Sequence, residues 1–376
     1  MPRFEHIGKA IAAWSASRSG GDVVNERIAA RRLANQRITK PGPRDPADIV
    51  AWFGAVQAQQ YPAAKWALAL RMPDGTTDAR IERAFDEGRI LRTHVMRPTW
   101  HFVAASDLHW MLELTAPRVH QALAFATRYY GLELPTRLHA TTLFERALSD
   151  GHYLTRAELG AHLGRAGLAV TGVRLALLTM HAELERVICS GPQRGKQSTY
   201  ALLGERAPRP TRRSRDEALA ELTERYFRSH GPATVRDFAW WSGLPTADAK
   251  RGLEMTGARR RMIDGHTYWT LDRLKPSETR RALVHLLPIY DEYFVAYRDL
   301  DAVPRRAGSR GALEQALVVG GQVAGTWKTA RKADGLVVDV VTAKRLSAVE
   351  RRAVAEEAAR YGRFLETRVS FALRRG

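Results

Sequence analysis

Apolar residues return every three or four positions along much of the chain, the spacing that gives a helix one apolar stripe. This predicts helices over 25–33, 46–58, 142–149, 156–164, 172–187, 214–229, 235–242 and 348–361. Shorter runs rich in β-branched and aromatic residues predict strands over 90–96, 99–104, 199–203, 260–263, 267–271, 316–319, 322–327, 336–342 and 366–373. Two polar stretches read as breaks: GERAPRPTRRSR at 204–215 and AVPRRAGSRG at 302–311. Residues 1–24 read as a loosely held, flexible extension ending in Gly20-Gly21. They lack a continuous apolar segment and carry Glu5, unlike a secretory signal.

The pattern repeats. TRAELGAHLG (155–164) and TVRDFAWWSG (234–243) both begin with Thr, place an acid fourth and an apolar residue fifth, and end in Gly. DIVAWFG (48–54) has the same spacing from acid to Gly. Downstream of each lies a strand beginning Thr-aromatic, at Thr99-Trp100, Thr199-Tyr200 and Thr267-Tyr268. A unit of packed helices closed by a two-stranded hairpin therefore occurs three times, as in a helix-turn-helix followed by a wing. The expected class is α+β, mainly α. It has a first winged helix over 25–135, a second over 136–205, a third over 206–275 and an α/β extension over 276–376. The third wing is the clearest: Arg259, Arg260 and Arg261 lead into Asp264-Gly265 and then His266, a hairpin signal with cationic side chains suited to phosphates.

Charge adds to this picture. Lys and Arg number 59 against 40 Asp and Glu, a net charge of +19 over 376 residues. Such an excess suits a polyanionic partner, with an arginine-rich genome bias as the plainer reading. The chain is 45% hydrophobic and 26% charged, which excludes a wholly disordered protein. No run of about 18 apolar residues offers a transmembrane helix. The single cysteine, Cys189, forms neither an internal disulfide nor a cysteine zinc site, and fits a reducing cytoplasm.

Familiar chemical motifs fail. The stretch 191–197 is one residue short of a phosphate loop and ends in Gln, so it lacks the hydroxyl for magnesium. His181-Ala182-Glu183 starts like a zinc deaminase motif, but no paired cysteines follow. Neither H-E-x-x-H nor G-x-S-x-G occurs. The expectation is no metal and no cofactor. One polar cluster stands out: Gln57-Ala58-Gln59, shortly before Pro62. Within a helix, residues two apart point to opposite sides. The two amides converge only if the backbone is extended or the helix ends there, as Pro62 favours. The plain alternative is an exposed helix end.

From about residue 25 to 373 the sequence resembles the AlkZ-type winged-helix DNA glycosylases, relatives of the YcaQ proteins. The resemblance rests on Gln57-Ala58-Gln59, on RTHVMRPTWH at 92–101, on LLPIYDEY at 286–293 with Tyr297-Arg298-Asp299, and on VGGQVAGTW at 319–327. It implies three tandem winged helices in a C shape with a basic concave channel. The implied activity is monofunctional DNA glycosylase action on N7-alkylguanine or bulky, crosslinked adducts in duplex DNA, for repair or for self-resistance to an alkylating natural product. In such members a Gln-x-Gln motif marks the crosslink-unhooking branch and Gln-x-Asp the YcaQ-like one. Pro98 and Trp100 depart from the Gly and Leu expected there, which bears on lesion preference.

The amides of Gln57 and Gln59 are expected to orient a water at C1′, since a neutral amide can accept from water and donate but cannot act as a true base. Lys65 is expected at a phosphate rather than as a Schiff-base nucleophile. Arg97 and His101 are expected at the DNA backbone, with a structural hydrogen bond as the alternative. Asp291 and Tyr293 either frame the pocket or hold a buried polar turn, the structural role being favoured. Trp240 and Trp241 read as core. The implied partner is duplex DNA bearing alkylated guanine, bound by a monomer in the bacterial cytoplasm at the nucleoid. The alternative function is a non-catalytic winged-helix regulator, which would dimerise to read half-sites.

Overall fold

The computed structural model describes residues 22–208, 212–271, 284–298, 300, 314–333, 335–343 and 345–376. The expected break at 302–311 and the expected extension up to residue 21 lie outside the described residues. Helix α1 (Asp22–Asn35) precedes a unit of α2 (Pro46–Phe53), β1 (Val56–Gln57), α3 (Tyr61–Leu70), α4 (Asp78–Asp86), β2 (Ile90–His94) and β3 (Trp100–Ala104). The long α5 (Leu108–Tyr129) leads to α6 (Leu134–Leu148), β4 (Leu154–Thr155), α7 (Arg156–Arg165), α8 (Gly172–Leu184), β5 (Ile188–Ser190), β6 (Thr199–Leu202) and the short α9 (Leu203–Arg206). A third series follows: α10 (Arg215–Ser229), α11 (Val235–Ser242), α12 (Thr246–Glu254), β7 (Arg259–Ile263) and β8 (His266–Thr270).

The first two series form sheets of the same order, β1-β3-β2 and β4-β6-β5. In the third, β7 pairs with β8, and an isolated bridge from Ala233 to Trp269 takes the place of the short first strand. Side-chain caps explain where several helices start. Capping boxes join Thr155 to Glu158, Ser214 to Glu217, Thr234 to Asp237 and Ser347 to Glu350. The third hairpin turns at Asp264 and Gly265, both at positive φ (47° and 74°), as its Asp-Gly predicts.

The chain ends in β9 (Val284–Leu287), α13 (Glu292–Val295), β10 (Ala316–Val319), β11 (Gln322–Lys332), β12 (Gly335–Thr342), α14 (Ala348–Phe364) and β13 (Val369–Arg375). These strands form one sheet, ordered β13-β12-β11-β10-β9. Only β12 and β13 pair in parallel, with α14 as the crossover such a pair requires. Its core merges with that of the first unit. The Trp66 indole donates to the Leu286 carbonyl and the Trp327 indole to that of Leu287, both at 2.8 Å, and Tyr361 lies edge-on to both rings.

Three expectations change. The helix expected over 46–58 stops at Phe53, where Gly54 at φ 87° closes it, and the chain continues as β1. The segment 48–54 is the first helix of its unit, whereas 155–164 and 234–243 lie in or along the second; acid-to-Gly spacing marks helix ends in general and aligned unlike helices. The expected boundary at 135/136 falls inside α6, and that at 205/206 inside α9. Helices α3 and α5 had no legible stripe because α3 is buried from Ala64 to Leu70 and the first half of α5 is buried on most sides.

Strand β9 carries His285, buried, with neither ring nitrogen hydrogen-bonded among the described residues. Burial, with the charges of Arg360 and Arg71 adding, pushes its pKa down to about 3. Between that value and about 6.5 the unfolded chain binds a proton that the folded chain does not, so stability falls as pH falls through this window. His285→Leu is expected to flatten the acid limb by about 1.4 kcal/mol per pH unit between pH 6 and 4, in urea unfolding curves taken across that range.

Candidate functional site

Strand β1 runs antiparallel to β3, with Val56 opposite Phe102 and Gln57 opposite His101. The Ala58 N–H donates to the Trp100 carbonyl at 2.7 Å, carrying the ladder past the strand's assigned end. The Gln-Ala part of the motif is therefore extended, and Gln59 follows at a bend before α3. Gln57 is 8% exposed and Gln59 is exposed. Each amide oxygen is held by a group that can only donate: Arg97 Nη2 at 3.2 Å from Gln57 Oε1, and the Trp100 N–H at 3.3 Å from Gln59 Oε1. Both amide orientations are thereby fixed, leaving each NH2 as donor and each oxygen with a second lone pair.

Behind Gln57 lies Glu292, the first residue of α13 and fully buried. Its carboxylate accepts from the Gln57 N–H at 2.7 Å and from Trp241 Nε1 at 3.0 Å, and meets His230 Nε2 at 3.2 Å. Burial alone would raise its pKa, yet the His230 hydrogen bond and charge and the Gln57 amide hold it below the ordinary carboxylate value. Its two neighbours fix its place. Asp291 caps α13 and grips Arg71 with both oxygens at 2.8 and 2.9 Å; the Tyr293 hydroxyl donates to the Gly321 carbonyl at 2.8 Å. Asp291 and Tyr293 thus hold a buried polar turn, and the residue between them touches the motif. No sequence signal singled out Glu292, because an acid after a capping Asp reads as an ordinary first-turn residue.

Arg97 and His101 both face this cluster. Arg97 sits in the β2–β3 loop, against the third unit: a Cβ on Gly243, at φ 70°, would lie 2.2 Å from the Met96 carbonyl oxygen. His101 is fully buried. Its Nδ1 lies 2.9 Å from the Thr99 carbonyl, which can only accept, so Nδ1 carries the proton and Nε2 is a bare acceptor. That Nε2 has no partner among the described residues. Burial, then the Arg97 charge, lowers the His101 pKa to about 3.

Lys65 is placed differently from expectation. It is 6% exposed, with its ammonium 2.7 Å from Asp78 Oδ2 and also bonded to Glu82, so it ties α3 to α4 and offers no charge to a phosphate. The side chains of Arg259, Arg260, Arg261 and His266 are all exposed on the third hairpin. Trp241 is core, as expected, while Trp240 is 40% exposed with its indole N–H 3.2 Å from the Val295 carbonyl. Among the described residues one group has metal-ligand types in reach of one another, His120, His181 and Glu185, and Arg137 already lies 3.4 Å from His181 Nδ1. No helix among the described residues is long and apolar enough to cross a membrane.

The chain resembles known proteins over most of its length. Residues 50–364 match the family described as DNA glycosylase AlkZ-like. A curated relative from Streptomyces sahachiroi, named an interstrand DNA cross-link repair glycosylase, is 24% identical over 336 residues, covering 80% of this chain and 87% of that protein. The solved structure of the Streptomyces sahachiroi DNA glycosylase AlkZ superposes with a TM-score of 0.73 at 22% identity, covering 93% of this chain and 98% of that one.

The Glu292 carboxylate is the acceptor for the Gln57 amide. Glu292→Ala is expected to cost about 3 kcal/mol or more, as buried donors lose their partner, and to speed hydrogen exchange at the Gln57 N–H beyond the global change. Exchange by NMR checks this; unchanged protection at Gln57 would contradict it.

Proposed function

This chain belongs to the AlkZ-like DNA glycosylase family, and we propose that it is itself a monofunctional DNA glycosylase that hydrolyses the N-glycosidic bond of N7-alkylguanine, or of bulky or crosslinked alkyl adducts, in duplex DNA. The observation that carries this reading is the pair of glutamine amides at the end of β1 and the bend after it, with each oxygen already held by a fixed donor.

The chemistry suits neutral residues. A guanine alkylated at N7 carries a positive charge, so its bond to C1′ is already weakened. As the C1′–N9 bond breaks, its electron pair enters the purine and neutralises that charge. Water forms the new bond at C1′ and sheds a proton to solvent. Gln57 and Gln59 hold that water and fix its line of attack, as water-positioning glutamines do elsewhere. Arg97 acts by orienting Gln57, and His101 presents a bare nitrogen beside it, so both serve the motif rather than the phosphate backbone. Neither needs a metal or a cofactor.

The three helix-and-hairpin series are read as tandem winged helices, parted before α6 and after α9, followed by the α/β part over 276–376. They wrap the duplex as a C-shaped monomer with a basic concave channel. Arg259, Arg260, Arg261 and His266 touch the backbone from the third wing, and the net charge of +19 supports this. The setting is base excision repair in the bacterial cytoplasm at the nucleoid, or self-resistance to a DNA-alkylating natural product.

Gln57→Ala and Gln59→Ala are each expected to slow excision of N7-methylguanine about 10- to 1000-fold, roughly 1.4–4 kcal/mol, in single-turnover assays on lesion-bearing duplex. Duplex affinity should change little. Gln59→Asp should keep measurable activity where Gln59→Ala loses most of it. Wild-type rates in both alanine variants would remove the motif from catalysis, and lesion binding without excision by the wild type would favour a non-catalytic DNA-binding regulator.

A separate expectation concerns salt. Duplex affinity should fall steeply between about 50 and 200 mM salt, and charge reversal at Arg259–Arg261 should weaken binding to all sequences alike. Salt-independent binding would contradict the channel.

A further inference from the structure

A cavity of about 150 Å³ lies between the first unit's hairpin and the second unit. Its walls include Phe85, Arg92 and Trp100 from the first, and Arg156, Glu183 and Tyr200 from the second. Two of its lining residues, Arg92 and Trp100, contact the Gln-Ala-Gln segment. Arg92 donates to the Ala58 carbonyl at 2.9 Å and to that of Gln59 at 3.3 Å, and the backbone N–H of Trp100 holds the Gln59 side chain.

The lining has the chemistry of a nucleobase site. An engineered cavity of about this volume holds a benzene ring, so one planar ring fits, and the mouth is open to solvent for the remainder of a base. The Trp100 indole forms an aromatic wall, itself packed by the Arg92 guanidinium 3.9 Å from its ring centre and the His94 ring at 4.9 Å, with the Arg156 guanidinium at 5.3 Å. Arg156 also donates to the Tyr200 hydroxyl at 3.1 Å. Glu183 is 1% exposed, and its carboxylate bonds His94 Nδ1. A carboxylate has about four lone-pair sites, so this bond leaves acceptor capacity. The aromatic walls match a planar ring better than a phosphate.

We propose that this cavity is a guanine-reading subsite, in which Glu183 accepts the N1–H and N2–H donors of the damaged base while the arginine pair faces its O6 edge. The inference rests on the reading of the protein as an N7-alkylguanine glycosylase and names how that base is chosen. Guanine presents two adjacent donors on this edge; adenine presents an acceptor at N1, which a carboxylate rejects. A guanidinium near O6 favours the state in which the bonding electron pair has moved into the purine. The arginines therefore stabilise the departing base more than the cationic substrate.

Binding of free 7-methylguanine to the full chain, followed by tryptophan fluorescence and calorimetry, tests this beside single-turnover excision of N7-methylguanine and N3-methyladenine. The wild type is expected to bind 7-methylguanine saturably and at least 10-fold more tightly than adenine. Glu183→Gln should weaken 7-methylguanine at least 10-fold and narrow that preference, and should raise the ratio of N3-methyladenine to N7-methylguanine excision by a similar factor. Ser198→Trp, at an exposed position on the cavity mouth, should block the free base without disturbing the core. Base binding that is absent in the wild type, or equal in the wild type and both variants, overturns the subsite even if N7-methylguanine is excised. Binding that depends on Glu183 in a protein that excises nothing would instead overturn the glycosylase reading and leave the subsite standing.

Discussion

The Glu292 carboxylate is fully buried and receives hydrogen bonds from three separate parts of the chain: the Gln57 amide on β1, the Trp241 indole on α11, and His230 after α10. A buried charge is tolerated only when donors replace the water it has lost. Here those donors belong to the first and third units, while Glu292 lies between β9 and β10 of the C-terminal sheet in the chain. Satisfying one carboxylate therefore fixes three segments against one another. Arg71 and Asp291, paired bidentately beside it, fix the turn that presents it.

The consequence for function, on the reading proposed above, is a motif that needs no further ordering to hold water. Gln57 is anchored through its backbone by Glu292 and through its side chain by Arg97, and Gln59 is anchored by the Trp100 N–H. Neutral amides in this position suit a substrate whose leaving group already carries positive charge. A strong acid to protonate the base is unnecessary, and Lys65, the lysine nearest the motif in sequence, is committed to Asp78 and Glu82. On the same reading the exposed arginines of the third hairpin have a different task, holding the polyanion, and they sit on a separate element from the two glutamines.

Much of this was legible in the sequence where local rules decide the outcome. Capping boxes set the starts of α7, α10, α11 and α14; Asp264-Gly265 set the third hairpin; and Val235–Ser242 and Ala316–Val319 have the predicted bounds. Family membership followed from motifs scattered over most of the chain. The two-residue spacing of the glutamines left extended backbone and helix end both open, and strand pairing with β3 is what makes the backbone extended. Glu292 was hidden for another reason. Its importance comes from donors 51 to 235 residues away, and no local pattern carries such contacts. Lys65 misled because a lysine near a motif resembles a phosphate contact until the acids of the next helix are folded against it. Helices α3 and α5 escaped because a helix buried on most sides has no stripe to detect.

A double-mutant cycle on single-turnover excision of N7-methylguanine tests the central claim most directly, that the buried carboxylate works through Gln57. The rates needed are those of the wild type, Glu292→Gln, Gln57→Ala and the double variant. If Glu292 acts by holding Gln57, Glu292→Gln slows the wild type but adds little once Gln57 is gone, a coupling of at least about 1 kcal/mol. Fully additive effects would contradict the account and place the role of Glu292 in the stability of the fold alone.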